Sequence, residues 1–360
     1  MRNSLARSNG FILVATIWIM AALVLMVSTF AIWVDRSLDT AYQQNKTNSS
    51  AIDAIATQQI LLYLLATQDA TPAGIVMPND DVGVGQEVVG MSLDDFLGGA
   101  NIVVDDMGGK TVSIAGNELR TNDDVYKGVN NALFSLKDMT GFVPLNSPVT
   151  QHIERLLQSL DVDEQQARAL VMTLQDYVDR DDVIRPNGAE AFQYLRQGLT
   201  PPKNLPLRSK YELANIIGWR DIEPLWKNQN VLNKIEAVST EPYNINAISA
   251  DMAMIMFNLS ESNAQLLVDE RKQGAYLSVR DISQRTGLNL NAYWNQLKFY
   301  TSEHFRLSFY TADTRLKREI NVYFPAQGEH PWIIYSDLTV PFMDTDALAE
   351  PQQPQTSLFR

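Results

Sequence analysis

FILVATIWIMAALVLMVSTFAIWV, residues 11–34, is an apolar run without a charged side chain, preceded by Arg2, Arg7 and Gly10 and closed by Asp35 and Arg36. At about 1.5 Å per residue it makes a helix of about 36 Å, enough to cross a hydrocarbon core of about 30 Å with some tilt. A secretory signal peptide has a shorter apolar region, about 7 to 15 residues, followed by a small-x-small cleavage site. This run is too long and lacks such a site at its far end, so it reads as an anchor. Positive charge ahead of the run and none of note behind it directs the N-terminus to the cytoplasm and the rest of the chain outside.

Neither Gly nor Pro, the usual helix breakers, occurs from Phe11 to Thr71. Beyond the anchor, Ile52, Ile55, Ala56, Ile60 and Tyr63 recur at helical spacing and predict the face that packs on a domain. Residues Gln43 to Lys46 are polar nearly all round. One helix over 11–65, membrane-spanning over 11–34, is the simplest account. Two helices with a break near Asn45 to Ser50 is the alternative, because Ser and Asn are poor helix formers.

Residues 66–142 read as strands and turns. Asn101–Val104 and Thr111–Ala115 flank a Gly-rich turn, as in a half-buried hairpin. Gly109-Lys110-Thr111 resembles the end of a phosphate loop, but that motif needs Gly at the position held by Val104, so the nucleotide reading fails. Residues 143–300 change to short helices and loops, with an internal echo. Pro144-Leu145-Asn146-Ser147 followed by Ile153, Leu156, Leu157, Leu160, Ala167 and Leu170 is mirrored by Asn244-Ile245-Asn246-Ala247 followed by Met252, Ile255, Met256, Leu259, Ala264 and Leu267. Each copy predicts helix, tight turn, helix. Residues 301–343 return to strands, Glu303–Tyr310, Arg318–Phe324 and a last one near Trp332–Tyr335. Residues 344–360, rich in Pro, Gln and acidic side chains, read as a flexible tail. The fold class is α+β: a long N-terminal helix packed on a small antiparallel sheet, with a large inserted all-α domain.

The chain has 360 residues, net charge −13, 45% hydrophobic residues and no Cys. That is enough apolar material for one large or two ordinary cores. Absence of Cys removes disulfides and thiolate chemistry. The acidic balance argues against nucleic acid or anionic lipid as partners, since both need clustered Lys and Arg.

The Gly10-Phe11 junction places a small residue before the apolar run, where a protease at the cytoplasmic face could trim the basic head and leave the anchor in place. Here the chain resembles the class III leader of type IV pilins and of the pseudopilins of type II secretion. The resemblance implies a leader over 1–10, cleavage between Gly10 and Phe11 by the prepilin peptidase, and N-methylation of Phe11. Most members carry Glu as fifth mature residue; this chain has Ala15, as the K-class minor pseudopilins do.

The densest acidic cluster runs Asp176-Tyr177-Val178-Asp179-Arg180-Asp181-Asp182, then Pro186-Asn187-Gly188-Ala189-Glu190 and Tyr194. This stretch also resembles the K class, and with the leader, Ala15, the Leu145-Asn146 and Ile245-Asn246 elements and the closing strands the resemblance covers nearly the whole chain. It implies a pilin-like fold whose insertion carries helix-hairpin-helix or SAM-like repeats. It implies also a place at the tip of the periplasmic pseudopilus, a single-pass inner-membrane location, and assembly with I- and J-class minor pseudopilins and the major pseudopilin. Hard oxygen ligands on an irregular loop suit Ca²⁺. From spacing alone the cluster reads equally as a solvated face with helix-cap carboxylates. The resemblance adds calcium, with Asp179, Asp181, Asp182 and Glu190 as the first candidate ligands.

The alternative function is a membrane-tethered helix-hairpin-helix receptor for DNA. In DNA-binding copies the hairpin is usually Gly-apolar-Gly, which lets bare amides approach a phosphate. Here the turns are Leu160-Asp161-Val162-Asp163-Glu164 and Leu259-Ser260-Glu261-Ser262-Asn263, without Gly and with carboxylates where phosphate would sit. Catalysis has few parts: His152, His304 and His330 are far apart in sequence, and neither a Gly-x-Ser-x-Gly nor a metal-spaced His pair occurs. His152 is expected on a helix surface. Non-enzymatic work with no catalytic cofactor is the expectation.

Overall fold

A computed structural model of the chain describes residues 11–78, 102–104, 111–113, 118–238, 242–311, 316–325, 329–342 and 350–359. The chain divides into two compact units between Ile52 and Asp53. Helix α1, Phe11–Thr67, is unbroken. Its threonines return their hydroxyls to carbonyls one turn back, Thr16 to Leu13, Thr29 to Met26 and Thr40 to Arg36, so polar groups in the helix stay bonded within it. The alternative of a break near Asn45 to Ser50 does not occur: Thr47 Oγ1 bonds the Gln43 carbonyl (2.9 Å) and Gln44 Nε2 bonds Asn48 Oδ1 (3.1 Å). Among the described residues α1 is the one helix long and apolar enough to cross a membrane.

The second unit is built on five antiparallel strands: β1 Asn122–Lys127, β2 Leu133–Asp138, β3 His304–Thr311, β4 Leu316–Tyr323 and β5 Ile333–Pro341, ordered β5-β4-β3-β2-β1. The short hairpin Ile102–Val104 with Thr111–Ser113 forms apart from this sheet, and its turn lies outside the described residues. One sheet face carries Phe134, Leu136, Phe305, Leu307, Phe309, Ile320 and Val322, and packs with Leu61, Leu62, Leu64 and Leu65 of α1 into one apolar core. The approach is close: a Cβ on Gly128 would lie 2.5 Å from Thr57 Oγ1, so only glycine fits there.

Two expectations change, for the packing face of α1 and for the tail. Of the stripe Ile52, Ile55, Ala56, Ile60 and Tyr63, Ile60 packs against the sheet core, but most of the packing face lies elsewhere on α1. Ile52, Ile55 and Tyr63 are exposed, whereas the four leucines and Thr57 and Gln58 are buried. The Leu61–Leu65 cluster presents more apolar surface than the sparser stripe, and a helix one turn from its end can bury only one side. The polar positions of the central strands do not face solvent. Lys137, Arg306, Ser308, Lys317, Glu319 and Asn321, on the polar face, are all buried, because the insertion covers that face. The tail is fixed over 350–359. Gln352 pairs with β1 through Lys127 N–H (2.9 Å) and its own N–H to Val125 (2.8 Å), and buried Phe359 stacks on Phe134 at 5.1 Å. An aromatic that reaches a core outweighs its polar neighbours.

The insertion leaves the sheet after β2 and returns at β3, two strands that are direct neighbours. It contains α2 Gln151–Gln158, α3 Glu164–Val178, α4 Ala191–Arg196, α5 Ala250–Phe257, α6 Glu261–Arg271 and α7 Val279–Thr286. Its core runs from Val143 to Leu297 and includes fully buried Trp219, Tyr194, Tyr243 and Tyr276. The sequence echo has a hydrogen-bonded counterpart. Asn146 exchanges two bonds with the Leu207 backbone (2.9 and 2.9 Å), and Asn246 does the same with Tyr276 (2.9 and 2.8 Å). In the second copy α6 leads almost directly to Tyr276, whereas in the first the acidic segment and α4 intervene before Leu207.

Candidate functional site

The acidic segment begins on the last turn of α3. Asp176 is buried there, and Asp179 caps the helix end. The loop turns back at Asn187, whose φ is +65°, and at Gly188, whose missing Cβ matters because it would lie 1.9 Å from Asp176 Oδ2. Glu190 then caps α4 and is 5% exposed. The fold brings one carboxylate oxygen of each of Asp176, Asp179 and Glu190 within 4.8 Å of the others.

Arg185 enters this group from the loop. Its Nη1 lies 2.7 Å from Asp176 Oδ1 and also bridges to Asp179 Oδ2, and its backbone N–H donates to Asp176 Oδ2 at 3.2 Å. The pair of carboxylates raises the guanidinium's basicity further. Glu190 receives no such help. Both its oxygens and Asp179 Oδ1 are buried without a hydrogen-bond partner among the described residues. Burial first, then the charges of Asp176, Asp179, Asp182 and Asp181, push the Glu190 carboxyl up to about 7.

Of the four residues expected to converge, Asp179 and Glu190 do and Asp181 and Asp182 do not. Asp181 Oδ1 accepts from Val183 N–H (2.9 Å), Asp182 Oδ1 accepts from Asn204 Nδ2 (3.1 Å), and both residues are exposed. An irregular loop does not keep neighbouring side chains on one side. Asp176 takes their place; the signal for it was the glycine that must pack against it. Three carboxylates, with Asp179 Oδ1 and both Glu190 oxygens left without a donor among the described residues, fit a hard divalent cation, whose ligands are oxygen.

The histidines sit on different elements. His152 is buried, not on a surface: its Nδ1 is 2.8 Å from Tyr243 Oη and the rings meet edge to face, so α2 buries a polar ring that has a partner. His304 stacks on Tyr323 at 4.4 Å, and His330 is exposed. The turns read against DNA use their polar groups internally. Asp163 accepts from Gln166 N–H (3.0 Å) and Ser260 from Asn263 N–H (3.3 Å), filling the helix N-termini a phosphate would need. Gly10 and the leader lie outside the described residues, and Phe11 is the first residue of α1.

Two features at the neck, where the insertion leaves β2 and returns to β3, escaped the sequence reading. Asp138, fully buried at the end of β2, accepts from Thr140 N–H (2.9 Å) and Oγ1 (2.7 Å), Ser302 N–H (2.7 Å) and Oγ (2.6 Å), and Asn244 Nδ2 (2.9 Å). Beside it Arg306 lies over the Phe142 ring (4.2 Å), 3.7 Å from Glu236 and 3.8 Å from Glu319, while Lys210 of the insertion reaches Glu319 at 3.4 Å.

The family described as Type II secretion system (T2SS), protein K matches residues 131–222. No curated protein matches the chain. Among solved structures, the chain is similar to one in the GspK-GspI-GspJ complex from the enterotoxigenic Escherichia coli type 2 secretion system, with 16% identity over 60% of this chain and 81% of that one and a TM-score of 0.45.

Proposed function

We propose that this chain, whose residues 131–222 match the protein K family of type II secretion systems, is a membrane-anchored minor pseudopilin that works by assembly and not by catalysis. The observation that carries the reading is where the family segment falls. It starts at β2, passes the neck and runs through α2 to α4 into the insertion, on a chain headed by a helix of membrane-crossing length. In this reading the N-terminus is cytoplasmic, the insertion is a pair of helix-hairpin-helix packing modules on a pilin-like head, and the bulk is periplasmic. Prepilin peptidase cuts after Gly10. A side chain at that position would obstruct a narrow protease site, so Gly10→Val should retain the leader, with N-terminal mass spectrometry finding Met1 or Asn3-containing peptides in place of a chain beginning at Phe11. Normal trimming of that variant would count against the reading.

The place proposed is the tip, with I- and J-class minor pseudopilins beside and the major pseudopilin below. Ala15 lacks the carboxylate that would neutralise a neighbour's N-terminal ammonium in lipid, where an unpaired charge is costly. The broad insertion tolerates nothing stacked above it. Ile55 and Tyr63 leave an apolar strip on the outer side of α1 that fits a neighbouring helix. The chain lacking residues 1–36 should therefore form a stoichiometric complex with the other minor pseudopilins and not polymerise alone. Ile55→Arg should weaken that complex by about tenfold or more, the worth of one buried apolar side chain replaced by a charge. Immunogold labelling spaced along the filament shaft would sink the tip assignment.

Calcium belongs to the same proposal. Asp176, Asp179 and Glu190 would hold it, and bound there it would neutralise the carboxylates and tie α3 to α4. Binding to the native state alone raises stability by mass action. The melting temperature should fall with chelator and recover with Ca²⁺. Glu190 is held above its unfolded pKa, so in the absence of the ion it favours the native state at low pH and costs stability as pH rises through about 7. Glu190→Gln should thus melt higher than the parent in chelator at pH 8, by about 1 kcal/mol, the relief of one unsatisfied buried acceptor, and should lose the calcium response. A melt indifferent to both changes would leave the cluster as structure alone.

A further inference from the structure

The carboxylate site already contains a cation of its own. Arg185 satisfies Asp176 and Asp179, but one guanidinium cannot reach the third carboxylate, and Glu190 stays without a donor. With Arg185 in place the inward oxygens left for a ligand are Asp179 Oδ1 and the two of Glu190. Ca²⁺ takes six to eight oxygens from carboxylates, carbonyls and waters, and release of Arg185 raises the carboxylate oxygens on offer from three to five by adding Asp176 Oδ1 and Asp179 Oδ2. Like charges at this range also repel. The arginine has somewhere to go: its side chain is 35% exposed, while its backbone N–H on Asp176 and the Gly188 contact hold the loop where it is.

We infer that Arg185 is a built-in competitor for the divalent cation, bridging Asp176 and Asp179 until the ion arrives and yielding both carboxylates when it binds. This rests on the calcium reading of the same site. The site then exchanges one cation for another and never leaves its carboxylates bare. The loop keeps its shape without calcium, and affinity is set below what three carboxylates alone would give.

The test is calorimetric titration of the full chain in detergent micelles with Ca²⁺, using the parent, Arg185→Gln, Arg185→Lys and Glu190→Gln. Arg185→Gln should bind about tenfold tighter, the equivalent of one charge-assisted hydrogen bond no longer in competition. It should also melt lower than the parent in chelator, because two carboxylates have lost their partner. Arg185→Lys, a point charge that cannot fork across both aspartates, should fall between the two and decides the matter if the glutamine variant does not fold. Equal or weaker binding by the arginine variants, with the parent binding and Glu190→Gln not, would overturn the competitor and leave the calcium site standing. A parent that takes up no Ca²⁺, or a Glu190→Gln that binds like the parent, would overturn the calcium reading itself and the competitor with it.

Discussion

Alanine at Arg306 is expected to destabilise the protein by about 3–5 kcal/mol, the usual cost of removing one partner from a buried ion pair. Arg306 is fully buried on the insertion-facing side of β3, among Glu236, Glu319 and Asp123, and its plane lies on Phe142. Its loss takes the guanidinium away from Asp123 and Glu236 and removes packing as well. The acid sensitivity should move with it. Burial alone would raise the Glu319 carboxyl, but Arg306, Lys210 and Lys317, with a hydrogen bond from Lys317, hold it well below the ordinary carboxylate range. A carboxyl depressed in the folded state contributes stability above its unfolded pKa and loses it as pH falls below. In the parent that loss begins only under about pH 4.5, the unfolded value. Arg306→Ala removes the largest of the charges that oppose burial, so the decline should start at higher pH. Urea unfolding at pH 7 and pH 5 measures both effects; a variant within 1 kcal/mol of the parent at each would remove the cluster's role in stability.

Asp138→Ala should cost about 3 kcal/mol or more, and it should act at one place. Five hydrogen bonds converge on this carboxylate, from both chain segments of the neck and from Asn244 inside the insertion. Removing it orphans the Ser302 and Thr140 amides and the Asn244 amide group together. Asp138→Asn keeps the shape but turns acceptors into donors facing donors, so it should rescue little. Hydrogen exchange should show faster opening at the β2–β3 ends while the core around Trp219 stays protected. Uniform loss of protection would mean that the neck is not a separate latch.

Much of this architecture can be read from residue order. The uncharged run to Val34 and the lack of Gly and Pro up to Thr71 specify α1, and the spacing of Phe305, Leu307 and Phe309 specifies a strand. What failed depended on what covers a face. Arg306, Ser308 and Tyr310 alternate with those aromatics as solvent-facing residues would, and only the insertion laid over them makes them core. His152 and Phe359 look like surface and tail until a partner from a distant segment, Tyr243 or Phe134, is brought against them. In the acidic segment the residues alone left a solvated face open and only the family resemblance implied a cation, and it is the loop's path that turns Asp176 inward and not Asp181 or Asp182.

The insertion joins two neighbouring strands, Asp138 opposite Phe305, and this sets a kinetic order on folding. Pairing β2 with β3 from an unfolded chain means closing a loop from Asp138 to Phe305, an entropic cost on the order of 4–5 kcal/mol before any ladder bond repays it. A folded insertion removes most of that cost, because its parallel pairings of Val143 with Ile235 and Tyr243 with Leu297 already bring its two ends together. The helical module is therefore expected to fold first and template the sheet, which lowers the effective contact order of an otherwise slow β topology. During synthesis the β1–β2 hairpin would wait with the far edge of β2 unpaired until the insertion and β3 emerge, a stretch of chain in which an exposed edge is open to aggregation.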